Sequence, residues 1–219
     1  TPPSGNANFM WVQHFAHHLS PNGQAGFVMP NGALAVSGKE GEMRRKLIEA
    51  DLVDVIISCP SKLFYNVSLP VSLWFLAKNK NGDRFRKRPG ETLFIDARDT
   101  FEQISRKQVI FNQEQINKIA NTVRAWRGEP SSAKAMDRQR RVPKYEDILG
   151  FCKSAKLEEL KKNGYTLTPG RYVGLADVED DGISFEEKMA KLSGELREAF
   201  TKGRELEKEI EKNLKELGF

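Results

Sequence analysis

The sequence predicts a mixed α/β domain followed by a helical C-terminal region, on three observations. Two apolar runs, Val53–Ile57 and Val71–Ala77, have the length and β-branched content of buried strands. A strand and an amphipathic helix precede the first run, so strand and helix alternate as in an α/β sheet. From residue 185 onward, apolar positions recur at alternating spacings of four and three among Glu and Lys, the form of a coiled-coil strand.

The elements follow in order. Asn8 is placed to cap a helix from Phe9 to Leu19, with Phe9, Val12, Phe15, Ala16 and Leu19 as its apolar stripe. Pro21-Asn-Gly23 ends it, and Ala25–Met29 reads as a buried strand. Pro30-Asn-Gly32 then lies at that strand's carboxyl end, where open α/β sheets bind ligands, though the three residues also suit a simple turn. A helix over Glu40–Ala50 turns Met43, Leu47 and Ile48 inward. Strands at 53–58, 71–77 and 92–96 come next, and Asn79-Lys-Asn-Gly-Asp83 between the last two is a hairpin signal. Asn112 and Gln115 make a capping box for a helix whose face is Ile116, Ile119, Ala120, Val123 and Trp126. Ser154 is expected to cap a short helix ending near Gly164. The expected division is a partial α/β domain over 1–111, a connecting helix and basic linker over 112–150, and a helical tail over 151–219.

Composition narrows the function classes. Hydrophobic content of 39% with 30% charged residues fits a globular body with long solvated helices. No apolar run is long enough to span a bilayer and no signal-like N-terminus is present, so neither membrane insertion nor export is indicated. Cys59 and Cys152 stand alone, without metal-ligand spacing or a disulfide framework, and suit a reducing cytoplasm. His14 and His18 share one helix face, yet nothing at ligand spacing completes a metal site. No Ser-His-Asp or paired-carboxylate constellation supports hydrolysis.

The net charge of +5 is uneven. Residues 181–219 hold 8 Lys and Arg against 10 Asp and Glu, which concentrates the positive charge upstream. Lys78, Lys80, Arg84, Arg86, Lys87 and Arg88 form one cluster, readable either as contacts to a DNA backbone or as a solvated turn. Between the two apolar strands, a loop displays Phe64 and Tyr65 beside Pro60 and Pro70. Those rings suit either packing on the sheet or stacking on an extruded nucleobase.

Ordered blocks along the chain decide among these readings. They are Asn6-Ala-Asn-Phe-Met-Trp-Val-Gln-His-Phe-Ala-His-His-Leu19, Gly26-Phe-Val-Met-Pro-Asn-Gly-Ala-Leu34, Arg44-Arg-Lys-Leu-Ile-Glu-Ala-Asp-Leu-Val-Asp54, Leu63-Phe-Tyr65, Leu93-Phe-Ile-Asp-Ala-Arg98 and Tyr165-Thr-Leu-Thr-Pro-Gly-Arg-Tyr-Val173. In this order and spacing the chain resembles the modification subunit of type I restriction-modification systems, an N6-adenine DNA methyltransferase. The resemblance implies the C-terminal half of a Rossmann-like, S-adenosylmethionine-dependent methyltransferase sheet. It also implies methyl transfer to DNA adenine by the complete subunit, in the cytoplasm, on double-stranded DNA. Implied partners are a specificity subunit and, further, a restriction subunit.

Two motifs of the resembled family do not occur. Its cofactor turn is Gly-rich and follows a strand; Gly38-Lys-Glu-Gly41 and Pro89-Gly90 lack that setting. Its catalytic tetrapeptide is Asn-Pro-Pro followed by Phe or Tyr. Thr1-Pro2-Pro3-Ser4 has neither the amide acceptor nor the stacking ring. This chain alone is therefore expected to bind no cofactor and to hold no catalytic residue. Phe64 and Tyr65 are the candidate base-stacking residues. The seam Phe185, Met189, Leu192, Leu196, Leu206, Ile210 and Leu217 is the candidate partner interface, with Ala199 between its halves, Gly203 allowing close approach and Asn213 as a polar register position; the same stripe also suits folding back on its own chain, against Leu157 and Leu160. The competing class is a non-catalytic helical adaptor or DNA-binding module that retains part of the fold.

Overall fold

The computed structural model describes residues 6–82, 85–129, 144–175 and 185–216. The chain divides into two compact units, Thr1–Ala176 and Asp177–Phe219. The first is built on a five-stranded mixed sheet. Its strands are β1 (Gln24–Pro30), β2 (Val53–Ser58), β3 (Val71–Ala77), β4 (Glu91–Asp96) and β7 (Cys152–Lys156), in the order β1-β3-β2-β4-β7. β2 and β4 are parallel, whereas β3 runs antiparallel to both β1 and β2, and β7 antiparallel to β4. A separate two-stranded ribbon, β5 (Glu102–Ser105) and β6 (Gln108–Ile110), follows β4.

The central strands are buried on both faces, which is why β2 reads as an unbroken apolar run in which only Asp54 and Ser58 are polar. One face carries Ile56, Trp74, Leu76, Phe94 and Ala155 against helices α1 (Asn8–His18), α2 (Gly38–Glu49) and α4 (Leu157–Lys162). The other carries Val55, Ile57, Leu93 and Ile95 against α3 (Gln113–Arg127), whose Trp126 is fully buried. The register of β2 against β3 shifts between Val53 and Val55, so these two valines serve opposite faces. The capping box forms as the sequence predicts. The Asn112 side chain accepts from Gln115 N–H at 3.0 Å, and the Gln115 side chain accepts from Asn112 N–H at 3.0 Å.

Five expectations are corrected. β1 is an edge strand buried on one face only; Val28 is 50% exposed on the other. Helix α1 begins after Ala7 with no side-chain cap, and Asn6 Oδ1 instead accepts from Asn8 N–H at 3.0 Å. β3 and β4 form no hairpin, because β2 lies between them in the sheet, and Lys80 is tied to the starts of β2 and β4. The Lys80 ammonium donates to Asp51 Oδ1 at 2.7 Å, to the Val53 carbonyl at 2.6 Å and to the Glu91 carbonyl at 2.8 Å. The connection from β3 thus delivers β4 to the far side of β2. Ser154 caps no helix: it lies within β7, where its hydroxyl accepts from Trp126 Nε1 at 2.8 Å and donates to Glu91 at 3.3 Å. With β7 completing the sheet, residues 151–175 belong to the α/β unit rather than to a helical tail.

Candidate functional site

Strands β1, β2 and β4 point the same way, so their carboxyl ends share one edge of the sheet. Such an edge is where α/β proteins place their ligands. The loop 59–70 leaves it from β2. Its stem is anchored by Cys59 N–H to the Val71 carbonyl at 2.9 Å, and by Leu63 packed into the core under α3. Beyond Leu63 the chain makes a tight turn, closed by Val67 N–H on the Phe64 carbonyl at 3.3 Å. Phe64 is 43% exposed at the base of this turn and Tyr65 is 87% exposed at its tip. Neither ring is buried in the sheet, which removes core packing as the explanation of the pair.

The predicted phosphate-binding cluster lies at the opposite edge, at the start of β2 and the end of β3. A six-residue strand separates the two edges by roughly 20 Å. Lys80 and Arg88 are 3% and 1% exposed, and both are held in ion pairs. Arg88 Nε and Arg127 Nη2 each reach the fully buried Asp54 carboxylate at 2.7 Å, on different oxygens. Arg86 pairs with Glu91 at 2.6 Å, donates to the Trp126 carbonyl, and lies 5.0 Å from the Trp126 ring centroid. Burial pulls the Lys80 pKa down, opposed by the adjacent Asp51. Lys80, Arg86 and Arg88 are thus fold-holding groups and are removed from the set of DNA contacts. Lys78 and Lys87 remain exposed on that distant edge, and Arg84 lies outside the described residues.

The segment 165–173, whose sequence carries no chemical signal of its own, closes the core. Tyr172 stacks on Phe94, and Leu167 N–H donates to the Leu34 carbonyl at 2.8 Å, beside Pro30-Asn-Gly32. Arg44 clamps the same junction from α2. It is nearly fully buried and donates to the carbonyls of Tyr165 at 2.8 Å, Ala33 at 3.2 Å and Val36 at 2.7 Å. Only the pairing of distant segments gives Arg44 this role, so sequence reasoning had no signal for it. The β5–β6 ribbon was missed for a different reason: its turn, Arg106-Lys107, carries none of the Gly, Asn or Asp residues that mark hairpins.

Two of the cavities among the described residues bear on ligand binding. One, of about 340 Å³, is apolar and lies between the bare half of the sheet (Ile57, Leu73, Phe75) and α3 (Ile116, Ile119, Val123), with Arg124, Arg127 and Glu129 beside it. The other, of about 370 Å³, is polar and lies over the start of α2, lined by Ser37, Gly38, Glu42, Arg44, Arg45 and Thr166.

The sequence model of the N-6 DNA Methylase family matches residues 1–181. The chain belongs to this family. It is 48% identical, over its whole length, to the MjaIX type I restriction enzyme methylase subunit of Methanocaldococcus jannaschii, of which the match covers 36%. It is 46% identical, again over its whole length, to the HindI type I restriction enzyme methylase subunit of Haemophilus influenzae, of which the match covers 45%. Among solved structures, it is similar to a type I restriction-modification system methyltransferase subunit from Streptococcus thermophilus. That match has a TM-score of 0.64 and 30% identity, over 80% of this chain and 32% of that one. The chain spans less than half the length of the two curated relatives.

N-6 DNA methylases imply S-adenosylmethionine, a ligand with a sulfonium cation and a ribose diol, and neither cavity suits it. The apolar cavity has one carboxylate, Glu129, placed beside two arginines; the polar one sets Arg44 and Arg45 against Glu42. Neither lies on a Gly-rich turn following a strand.

The second unit of this N-6 DNA methylase chain is helix α5 (Phe185–Glu216). Met189, Leu192, Leu196, Leu206 and Ile210 of the predicted seam are all exposed. Phe185 opens the helix, its side chain outside what is described, and Leu217 lies beyond the described residues. Phe200 and Leu214 are also exposed, each one position after a small or polar seam residue, and widen the apolar stripe. The sequence pattern placed Ala199 and Asn213 in the seam and passed over these two.

Proposed function

We propose that this chain is part of the modification subunit of a type I restriction-modification enzyme. In the complete subunit, methyl transfer runs from S-adenosylmethionine to adenine N6 in double-stranded DNA. The observation that carries this reading is the exposed Phe64–Tyr65 turn at the carboxyl edge of the sheet, in a chain of the N-6 DNA Methylase family. A base extruded from the duplex must be held by stacking and by contacts to its edge, and this turn offers two unburied rings to such a base. In the same reading the sheet is the C-terminal half of a Rossmann-like methyltransferase sheet. Helix α5 packs in coiled-coil fashion against helices of a specificity subunit, with the restriction subunit joining the assembly.

No Asn-Pro-Pro-aromatic tetrapeptide and no Gly-rich cofactor turn occur in the 219 residues, so methylation by this chain alone is not expected. Tight calorimetric binding of S-adenosylmethionine to the isolated chain would overturn that part.

The experiment that tests the main reading measures DNA methylation by the complete subunit with Phe64→Ala and Tyr65→Ala introduced separately. Stacking on a base contributes roughly 1–3 kcal/mol, so the ring that holds the base, when removed, slows methylation by about 10- to 100-fold. Normal rates in both variants, with folding intact, would remove the base wall from this loop. A non-catalytic adaptor retaining part of the fold is the alternative, and a complete subunit that methylates nothing would favour it.

A further inference from the structure

We infer that the β5–β6 ribbon is a DNA-backbone contact, which grips the phosphates beside the target base and holds the aromatic loop in place. The inference rests on the reading of Phe64–Tyr65 as a base wall and adds the element that docks the duplex next to it.

The ribbon stands out of the molecule. All four residues of β5 are exposed, and Val109 is the one buried residue of β6. A two-stranded ribbon alone is marginally stable in water, so its attachment points matter. Those attachments go to the aromatic loop. Val109 N–H donates to the Lys62 carbonyl at 3.1 Å, and Lys62 Nζ donates to the Arg106 carbonyl at 2.8 Å. Lys62 has a φ of 61°, a left-handed conformation that L side chains seldom adopt without support. The ribbon supplies that support through both the main chain and the side chain. The residues displayed next are Phe64 and Tyr65.

Charge completes the picture. Arg106 and Lys107 form the exposed tip, and the Lys62 ammonium is drawn to the same turn. Among the described residues, none of these three cations has a carboxylate within ion-pair distance; Glu102, the acid on β5, instead accepts from Asn112 Nδ2 at 3.3 Å. The contrast with Lys80 and Arg88 at the other edge is direct, since those charges are neutralised within the fold. Three unneutralised cations gathered at one protruding turn match the sugar-phosphate backbone of duplex DNA, which binds such groups by releasing counterions.

The test is a salt titration of binding between the 219-residue chain and a short fluorescently labelled DNA duplex, read by anisotropy. The variant Arg106→Ala/Lys107→Ala should lower the steepness of log affinity against log salt by about 1.8, at roughly 0.9 for each phosphate that is no longer neutralised. At moderate salt it should weaken binding on the order of 10- to 100-fold. Lys62→Met should remove a further increment of about 0.9. Both tip residues are exposed, so thermal melting of the double variant should match the parent. An unchanged slope, or a parent chain without duplex affinity, overturns the inference. Failure of the base-wall reading shows elsewhere: removing the rings of Phe64 and Tyr65 releases no counterions, so it alters methylation by the complete subunit and leaves this slope intact.

Discussion

Tyr172 lies flat on Phe94, with ring centroids 3.9 Å apart and planes 6° from parallel. Phe94 belongs to a central strand, whereas Tyr172 ends a segment that returns from beyond the fifth strand. The stack therefore fastens the last part of the α/β unit to its middle. The Tyr172 hydroxyl donates to the Thr166 carbonyl within the same segment, and burial pushes its pKa up.

Tyr172→Ala should destabilise the chain by about 3–5 kcal/mol, as expected for truncating a buried aromatic side chain. Tyr172→Phe keeps the stack and loses one hydrogen bond, which leaves a buried acceptor and costs about 1–3 kcal/mol. Urea unfolding of the two variants measures both. Equal losses would mean that the hydroxyl, not the ring, fastens the segment.

Asp54 should be the least replaceable charged residue of the α/β unit. Its carboxylate is fully buried between Arg88 and Arg127, and Arg88 Nη2 has no hydrogen-bond partner among the described residues even with Asp54 present. Replacing Asp54 by Asn strands two guanidiniums in the interior, and removing one partner of a buried pair costs about 3–5 kcal/mol. Lys87→Ala, at an exposed site of the same cluster, should stay within about 0.5 kcal/mol. A melting temperature that falls as far for Lys87→Ala as for Asp54→Asn would refute the assignment of the cluster to folding.

Cys59 sets a pH limit. Its thiol is buried at the root of the aromatic loop, and desolvation raises its pKa from 9.0 to about 11. The folded state thus holds this proton more tightly than the unfolded state does. Stability from this group is intact below pH 9 and is lost as pH rises toward about 11, an effect on the order of 2–3 kcal/mol. Denaturant midpoints followed from pH 8 to 11 should fall less in Cys59→Ala than in the parent, after correction for the baseline stability of the variant. Identical slopes would show that another group controls the alkaline limit.

How much of this was legible in the sequence follows from where each stabilising partner sits. β2 and β3 declare themselves because strands buried on both faces need apolar residues at nearly every position. The Asn112–Gln115 box is equally plain, since all its partners lie within one helical turn. β7 is not: Cys152-Lys-Ser-Ala-Lys156 has too few apolar residues to mark a strand, and its place comes from pairing with β4. The basic cluster misleads for the same reason. Arg88 and Arg127 meet Asp54 across 34 and 73 residues of chain, so charges that look solvated in sequence are cancelled in the fold. At the candidate site, Phe64 and Tyr65 were visible as aromatics in a proline-bounded loop. The ribbon that holds them was invisible, because its turn has no residue demanding a special backbone conformation.

Helix α5 yields the last prediction. Its 32 residues extend about 48 Å at 1.5 Å per residue. Leu192, Leu196, Phe200, Leu206, Ile210 and Leu214 along it are all exposed. Apolar side chains repeated over that length exceed what a solvated helix needs, and in water they form an aggregation-prone surface. Lys and Glu flank the stripe on both sides, as in helices that choose their partners through edge charges. In the proposed assembly the covering surface is a helix of the specificity subunit. Leu206→Asp/Ile210→Asp places two carboxylates in the middle of the seam, where a partner helix would have to bury them unpaired. Each such burial is strongly unfavourable, so the double variant should lose co-purification with the specificity subunit altogether. The seam lies in the second compact unit, so the α/β unit should unfold at the same denaturant concentration as in the parent. Leu206→Ala/Ile210→Ala keeps the helix and removes only apolar area; it should weaken assembly without abolishing it. Normal assembly of the aspartate variant would place the interface on another surface and leave α5 without this role.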